Sequence, residues 1–261
     1  MSPSPWRRWA HRHRRPHGPL APTHTGWRGR DAQALAVTIG TLAAYNVARG
    51  MWIPEGWHLL TNLLVAGAMV LIAWWAGVDE DELGIHRRHT VAGVRWGGTT
   101  LGLIVAVTAV GGIVAQYIPS VAGFLVDDRV RVGVPRMLYE VLVNTPFGTV
   151  LLEELAFRGL LLALLLRHLK PVAATLWCSL LFGCWHIQPT LSTALENSGF
   201  AGTSSTPLGL TAVVALNVLA TGSAGAAFCW LRLRSKSLLA PMFAHLGVND
   251  AAFLVGWISN R

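Results

Sequence analysis

The chain has 261 residues, of which 52% are hydrophobic and only 13% are charged. A soluble domain carries about 25% charged residues, so the composition excludes an ordinary soluble protein and predicts a polytopic membrane protein. The formal net charge is +8, but we expect no nucleic-acid partner, because the basic residues lie in a tail and in alternate loops and no folded basic domain is visible.

Residues 1–30 are rich in arginine, proline and histidine, and they predict a disordered basic tail on the cytoplasmic side. The first apolar run begins only after Asp31 and has no clear cleavage site, so it predicts a retained span rather than a signal peptide. We therefore expect this tail to be followed by a transmembrane bundle over residues 31–261.

Seven apolar runs follow, each close to the roughly 20 residues that a spanning helix needs. Most of the 21 Lys and Arg residues fall in the tail and in every second connection, which predicts an inside amino terminus and an outside carboxy terminus. The fold class expected is all-α, a polytopic transmembrane helix bundle of about seven spans, N-in/C-out. The runs are 32–48, 57–77, 98–118, 147–166, 172–189, 209–231 and 238–258.

Three connections have a distinctive composition. Residues 79–96 are charged, and residues 119–146 form a long connection that ends at Pro146. We expect Pro146 to start or kink the fourth span, because proline lacks the amide hydrogen that a helix interior uses. Residues 190–208 are rich in Ser, Thr and Gly, and they predict a flexible outer loop.

The fourth run contains two adjacent carboxylates and a guanidinium, those of Glu153, Glu154 and Arg158. Ionisable groups within spans are rare and are functional candidates. Glu154 and Arg158 are four residues apart and share a helix face, so they can pair. Glu153 points about 100° away from Glu154 around the helix axis. We expect the pair to be structural and Glu153 to remain available as a general base. The alternative is a salt-bridge cluster without chemistry.

Two later runs each carry further polar residues: His186 lies late in the fifth, and His245 and Asn249 lie on one face of the seventh. Alone, each could be a hydrogen-bonded core residue, and the second pair could also bind a metal or polarise a carbonyl. A short loop makes the fourth and fifth runs antiparallel neighbours, which places Glu153 and His186 at similar depth. Together these residues predict a buried active site.

The three sets of polar residues resemble, in order and spacing, the motifs of the CPBP family of intramembrane proteases. This is the CAAX-protease and bacteriocin-processing group, also called the abortive-infection domain. The resemblance covers about residues 140–258, the protease-like core, and implies an all-helical membrane fold with a cavity open to water. The motifs are Glu-Glu-x-x-x-Arg at 153–158, Phe-x-x-x-His at 182–186 and His-x-x-x-Asn at 245–249.

The resemblance implies an intramembrane endopeptidase that hydrolyses a peptide bond of a membrane-associated peptide or protein. Glu153 and His186 would activate a water molecule. His245 and Asn249 would stabilise the oxyanion, and the neighbouring Glu-Arg pair would brace the site. We expect no required cofactor, since the chain lacks His-Glu-x-x-His and its three cysteines lack zinc-binding spacing. The alternative is zinc held by Glu153, His186 and His245.

Two other functions remain open. The chain could be a catalytically silent scaffold or a bacteriocin-immunity protein of the same fold. A small transporter is less expected, because the polar groups lie only in the carboxy-terminal half and no internal repeat is visible. Partners expected are membrane lipid and a membrane-associated substrate, in a bacterial plasma membrane. Eukaryotic relatives trim prenylated tails at the cytosolic face, which fits poorly with a site nearer the outer face.

Overall fold

The structure, a computed structural model, describes residues 29–118, 130–196 and 201–260, and all regular elements in these ranges are helical. The predicted disordered tail covers residues 1–30, and its first 28 residues lie outside the described part of the chain. One-turn 3-10 segments, Glu55–Trp57 and Arg87–His89, precede two of the helices. The helices are α1 (Gly29–Met51), α2 (His58–Ala76), α3 (Glu80–Leu83), α4 (Thr90–Gln116), α5 (134–166), α6 (Pro171–Trp185), α7 (Ile187–Glu196), α8 (Ala201–Ser204), α9 (Pro207–Ser235) and α10 (Leu239–Ser259).

Within the described residues, four helical segments are long and apolar enough to cross a membrane: Glu55–Ala76, Glu80–Gln116, Pro207–Ser235 and Leu239–Ser259. Their outward faces expose large apolar side chains, as lipid contact requires and water would penalise. The prediction of an all-helical membrane protein is confirmed at this level, whereas seven spans and their orientation stay predictions. Exposed examples are Leu64, Leu71, Leu103, Leu216 and Leu219.

Helix α5 begins earlier than expected. It starts at Val134, with Pro135 in the first turn, where a missing amide hydrogen removes no helical bond. Pro146 therefore lies inside the helix and does not start it. The π-helical turn Glu140–Asn144 precedes this position and the π-helical turn Pro146–Val150 begins at it, and such wide turns accommodate a residue that cannot donate to the preceding turn. The helix therefore starts at Val134 and not at Pro146, while the bounds of the fourth span stay a prediction.

Helix α5 is the centre of the bundle. Each of residues 152–165 is buried, including the apolar side chains of Leu152, Leu160 and Leu164. A helix that is enclosed on all sides contacts protein rather than lipid. Its charged side chains are therefore surrounded by other helices, which lets them form pairs instead of facing hydrocarbon.

Small residues bring neighbouring helices close together. A Cβ atom added at Gly97 of α4 would lie 2.7 Å from Cδ2 of Phe243 and 3.0 Å from Cα of Ala240 on α10. A Cβ at Gly183 of α6 would lie 2.7 Å from the carbonyl oxygen of Val218 on α9. Glycine at these positions allows the backbones to approach, as in many membrane helix pairs.

A network around Arg167 joins the helix ends at one end of the bundle. Its guanidinium donates to Asp31 at 2.9 Å, to Glu82 at 2.7 Å and to the carbonyls of Ala76 and Gly77 at 3.1 and 2.9 Å. Burial disfavours the charged guanidinium, but the hydrogen bonds and charges of Glu82 and Asp31 outweigh it and raise the pKa of Arg167. The start of α1 and the ends of α2 and α5 therefore meet here.

The segment after α6 also differs from expectation. Residues 190–208 were predicted to be a flexible loop, but α7 covers their first part and α8 a later part, with 197–200 outside the described residues. Pro189 lies in the first turn of α7, where it is tolerated. Ala194 is buried, so this helix packs against the bundle despite its Ser and Thr content.

Candidate functional site

The two adjacent glutamates of α5 have different partners. Arg158 Nη1 donates to Oε1 of Glu154 at 3.0 Å, so the predicted pair is present, and both side chains are fully buried. Nδ1 of His245 lies 2.8 Å from the same oxygen. Because a carboxylate only accepts, this Nδ1 carries the proton. Glu154 thus joins α5 to α10.

The guanidinium of Arg158 is enclosed by aromatic rings. Its Cζ lies 3.9 Å from the ring centroid of Phe182 and 5.0 Å from that of Phe228. A Cβ atom at Gly225 of α9 would lie 3.1 Å from Phe182 and 3.2 Å from Nη2 of Arg158, so glycine leaves room for this arrangement. Cation–π contact and the pairing with Glu154 offset the desolvation of a fully buried charge.

Glu153 is held by one carboxylate oxygen and presents the other. Oε1 accepts a hydrogen bond from Nε1 of Trp185 at 3.1 Å. Oε2 is buried and has no hydrogen-bond partner among the described residues. It lies 3.9 Å from Nε2 of His186 and 3.8 Å from Nε2 of His245. One oxygen therefore faces the imidazoles of both α10 and the end of α6.

His186 is fixed by its own backbone surroundings. It follows the last residue of α6, and its amide donates to the carbonyl of Gly183 at 3.0 Å. Nδ1 lies 2.8 Å from the carbonyl oxygen of Phe182. A carbonyl only accepts, so Nδ1 carries a proton, and Nε2 is the ring nitrogen that faces Glu153.

Asn249 lies one turn beyond His245 on the same face of α10 and is half-buried. No hydrogen bond within the described residues involves its side chain. The structure therefore places it beside the cluster without joining it to the cluster. The side chains brought into direct contact are those of Glu153, Glu154, Arg158, His186 and His245.

Sequence reasoning missed Trp185 and Asn46, which both belong to this site. Trp185 donates to Glu153, and its carbonyl oxygen accepts a hydrogen bond from Nδ2 of Asn46 on α1 at 2.8 Å. The available signals were a tryptophan directly before the motif histidine and an amide inside the first apolar run. Neither residue is ionisable, and neither lies four residues from a motif histidine as Asn249 does from His245.

An apolar cavity of about 300 Å³ adjoins the site between α1, α5 and α6. Leu42, Phe157, Leu181 and Trp185 form apolar walls, and Asn46 and Gln188 are the polar lining residues. Trp185 is thus shared between this cavity and the carboxylate of Glu153.

The zinc alternative requires Glu153, His186 and His245 to approach one ion. Two ligand atoms of a tetrahedral zinc site are about 3.4 Å apart, given the usual bond lengths. The separations of 3.8 and 3.9 Å between Oε2 of Glu153 and the two Nε2 atoms are wider. No group of three His, Cys, Asp or Glu side chains in the described ranges has the spacing of a metal site. These residues therefore do not fit zinc as they stand, and metal-free chemistry stays a prediction.

Comparison with known proteins yields one family. Residues 135–250 match the sequence model of the family described as type II CAAX prenyl endopeptidase Rce1-like. No curated protein and no solved structure matches the chain. The matched segment runs from α5 into α10 and contains all three polar motifs. The resemblance to the CAAX-protease family is confirmed, and with the four apolar helical segments it indicates a membrane protease of CAAX type.

Proposed function

We propose that this protein is an intramembrane endopeptidase that hydrolyses a peptide bond with a water molecule activated by Glu153 and His186. The observation that carries this proposal is the position of Oε2 of Glu153, which is buried and faces Nε2 of both His186 and His245 at 3.9 and 3.8 Å. Two proton acceptors, Glu153 and His186, and a second imidazole, that of His245, converge on one small region inside the helix bundle.

Activation of water follows from the spacing of the two acceptors. A separation of 3.9 Å between Oε2 of Glu153 and Nε2 of His186 is too long for a direct hydrogen bond. A substrate water between these atoms lies within hydrogen-bond reach of both. Its two protons then point to Glu153 and His186, and its oxygen lone pair faces the peptide carbonyl. Glu153 takes one proton as the new C–O bond forms.

Stabilisation of the oxyanion is assigned to His245 and Asn249. The buried carboxylates of Glu153 and Glu154 and the guanidinium of Arg158 sum to one negative charge, which a proton on His245 neutralises. With Nδ1 bonded to Glu154, the second N–H of this ring is directed beside Glu153, where it can donate to the oxyanion. Asn249, one turn along α10, supplies a second donor.

Collapse of the tetrahedral intermediate completes the reaction. The C–N bond breaks, and the proton that Glu153 took from water is transferred to the leaving nitrogen. The products are a carboxylic acid, which keeps the second proton of the water, and an amine, so protons and electrons balance without a redox partner. Glu154 and Arg158 remain bonded to each other throughout and keep His245 in place.

We further propose seven crossings, by α1, α2, α4, α5, α6, α9 and α10, with the amino terminus inside and the bundle in a bacterial plasma membrane. Two observations support this arrangement. Alternating direction brings the start of α1 and the ends of α2 and α5 to one end, where Arg167 joins them. Helix α6 has only 15 residues, which is short for a membrane crossing, but α7 follows it after a single residue and lengthens the helical segment. In this proposed orientation, Glu153 and His186 lie nearer the outer face.

The substrate proposed is a membrane-associated peptide or protein. The family description supports a prenylated CAAX tail, whereas the proposed orientation supports a substrate reached from the outer side. A quenched fluorescent peptide ending in a farnesylated CAAX sequence and the same peptide without the lipid, each offered to the protein in proteoliposomes, show whether cleavage depends on the prenyl group.

The test compares wild type with Glu153→Gln on both peptides. We expect wild type to cleave at least one of them and Glu153→Gln to cleave neither. Glu140→Gln is the matched control, because Glu140 lies on the same helix but pairs with Arg136 outside the site. If wild type and Glu153→Gln are indistinguishable on both peptides and in the membrane peptidome of cells, the protease proposal is overturned and a scaffold is favoured.

A further inference from the structure

We infer that Trp185 and Asn46 are positioning residues that hold Glu153 in the orientation needed to activate water. The inference rests on the proposed function, and it extends the site beyond the three motifs to the first helix of the bundle. Asn46 lies on α1, outside the residues 135–250 that match the family model.

The hydrogen bond to Glu153 selects one orientation of the carboxylate. The terminal torsion of a glutamate is soft, so packing alone leaves its two oxygens free to rotate. Nε1 of Trp185 donates to Oε1 at 3.1 Å, and both side chains are buried. With Oε1 held, Oε2 is the oxygen that faces His186 and His245. Loss of the N–H allows the carboxylate to turn away from the water position.

Asn46 fixes Trp185 by supplying a donor that the backbone lacks at this point. Trp185 is the last residue of α6, and the helical donor to its carbonyl would be the amide of Pro189, which has no hydrogen. Nδ2 of Asn46 donates to this carbonyl at 2.8 Å. Tyr45, the residue before Asn46, stacks on the indole with ring centroids 6.4 Å apart. Helix α1 therefore holds both the backbone and the ring of Trp185.

The test compares the steady-state kcat and KM of variants with those of wild type, on whichever of the two quenched peptides wild type cleaves. Trp185→Phe removes the N–H and keeps an aromatic ring, and Asn46→Leu removes the donor to the carbonyl. We expect Trp185→Phe to lower kcat about ten- to a hundredfold with KM within about twofold, as loss of a hydrogen bond to a charged group predicts. Asn46→Leu should act in the same direction by less.

Two controls separate positioning from general damage. Trp177→Phe changes another tryptophan of α6 whose side chain is 54% exposed, and it should leave kcat unchanged. The double variant Trp185→Phe with Asn46→Leu should lower kcat by less than the product of the single effects, because both act through one contact chain.

The possible failures are distinguishable. If Glu153→Gln retains activity, the proposed function fails and takes this inference with it. If Glu153→Gln is inactive but Trp185→Phe has the kcat of wild type, or raises KM alone, only the inference is overturned. If Trp185→Phe does not elute as a folded protein, 3-benzothienylalanine at position 185 replaces it, since this analogue keeps the bicyclic shape and lacks only the N–H; a wild-type kcat there overturns the inference.

Discussion

His245 and Glu154 are joined by a hydrogen bond of 2.8 Å that links the last helix of the bundle to its buried central helix. Glu154 uses the same oxygen to accept from Arg158, so this carboxylate has two cationic or protonated partners. Glu153, the adjacent residue, has none of these contacts and receives a single donor from Trp185. Two adjacent glutamates of one helix therefore have different surroundings: Glu154 is bonded to Arg158 and His245, whereas Glu153 accepts a hydrogen bond from Trp185.

The first prediction follows from this difference. Glu154→Gln should destabilise the protein more than Glu153→Gln, because it leaves the fully buried Arg158 without its counter-charge, at a cost of about 3–5 kcal/mol. Thermal melts of both variants in the same detergent measure the ranking. Melting temperatures in the opposite order would contradict the assignment of Glu154 as the bracing carboxylate.

Part of this site could be predicted from the sequence because local geometry determines it. Residues four apart on a helix meet, so Glu154 and Arg158 pair as expected. Two runs joined by a short loop are antiparallel, and Glu153 and His186 do lie within 3.9 Å of each other. Both relationships depend on spacing alone, which the sequence shows directly.

The remainder depends on tertiary contacts that spacing does not reveal. The bond from Asn46 to Trp185 joins residues that are far apart in sequence, and it forms where Pro189 leaves a carbonyl without its helical donor. Likewise, the extension of α5 back to Val134 needs one π turn before Pro146 and a second that begins at it. The proline predicts a start or a kink of the helix at this position, whereas the helix starts at Val134 and continues through it.

A second prediction concerns Asn249. If it donates to the oxyanion, Asn249→Ala should lower kcat about a hundred- to a thousandfold, equivalent to about 2.7–4 kcal/mol, with little change in KM. Val248→Ala is the matched control, because Val248 is the residue before Asn249 on α10 and its side chain is exposed. Steady-state kinetics on the cleaved peptide measure both. A wild-type kcat for Asn249→Ala would remove this residue from the catalytic group.

A third prediction is that the network around Arg167, at the carboxy-terminal end of α5, contributes to stability but not to catalysis. Arg167→Gln should lower the melting temperature clearly, because it leaves the carboxylates of Asp31 and Glu82 without their shared partner. Arg136→Gln should have little effect, since Arg136 pairs with Glu140 at an exposed position. Activity per folded molecule should be unchanged in both. A melting temperature for Arg167→Gln equal to wild type would contradict the role assigned to this network.

A fourth prediction tests topology. In a background lacking Cys178, Cys184 and Cys229, a cysteine at Lys170 should be labelled by an impermeant thiol reagent only from the cytoplasmic side. A cysteine at Ser205 should be labelled only from the outside. Both positions are exposed, so access depends on the membrane and not on burial. Labelling of the Ser205 position only from the cytoplasmic side would reverse the proposed orientation.

The last prediction concerns metal dependence. Oε2 of Glu153 lies 3.8 and 3.9 Å from the two imidazole nitrogens, which is wider than zinc ligation requires, and Trp185 holds the other oxygen. We therefore expect active protein, purified without chelator, to contain far less than one zinc per chain by elemental analysis. We also expect its rate to be unchanged after treatment with 1,10-phenanthroline. The contrary result is specific: stoichiometric zinc together with loss of activity that added zinc restores would show that Glu153, His186 and His245 close around a metal, and the water would then be activated by that ion rather than by the carboxylate and imidazole alone.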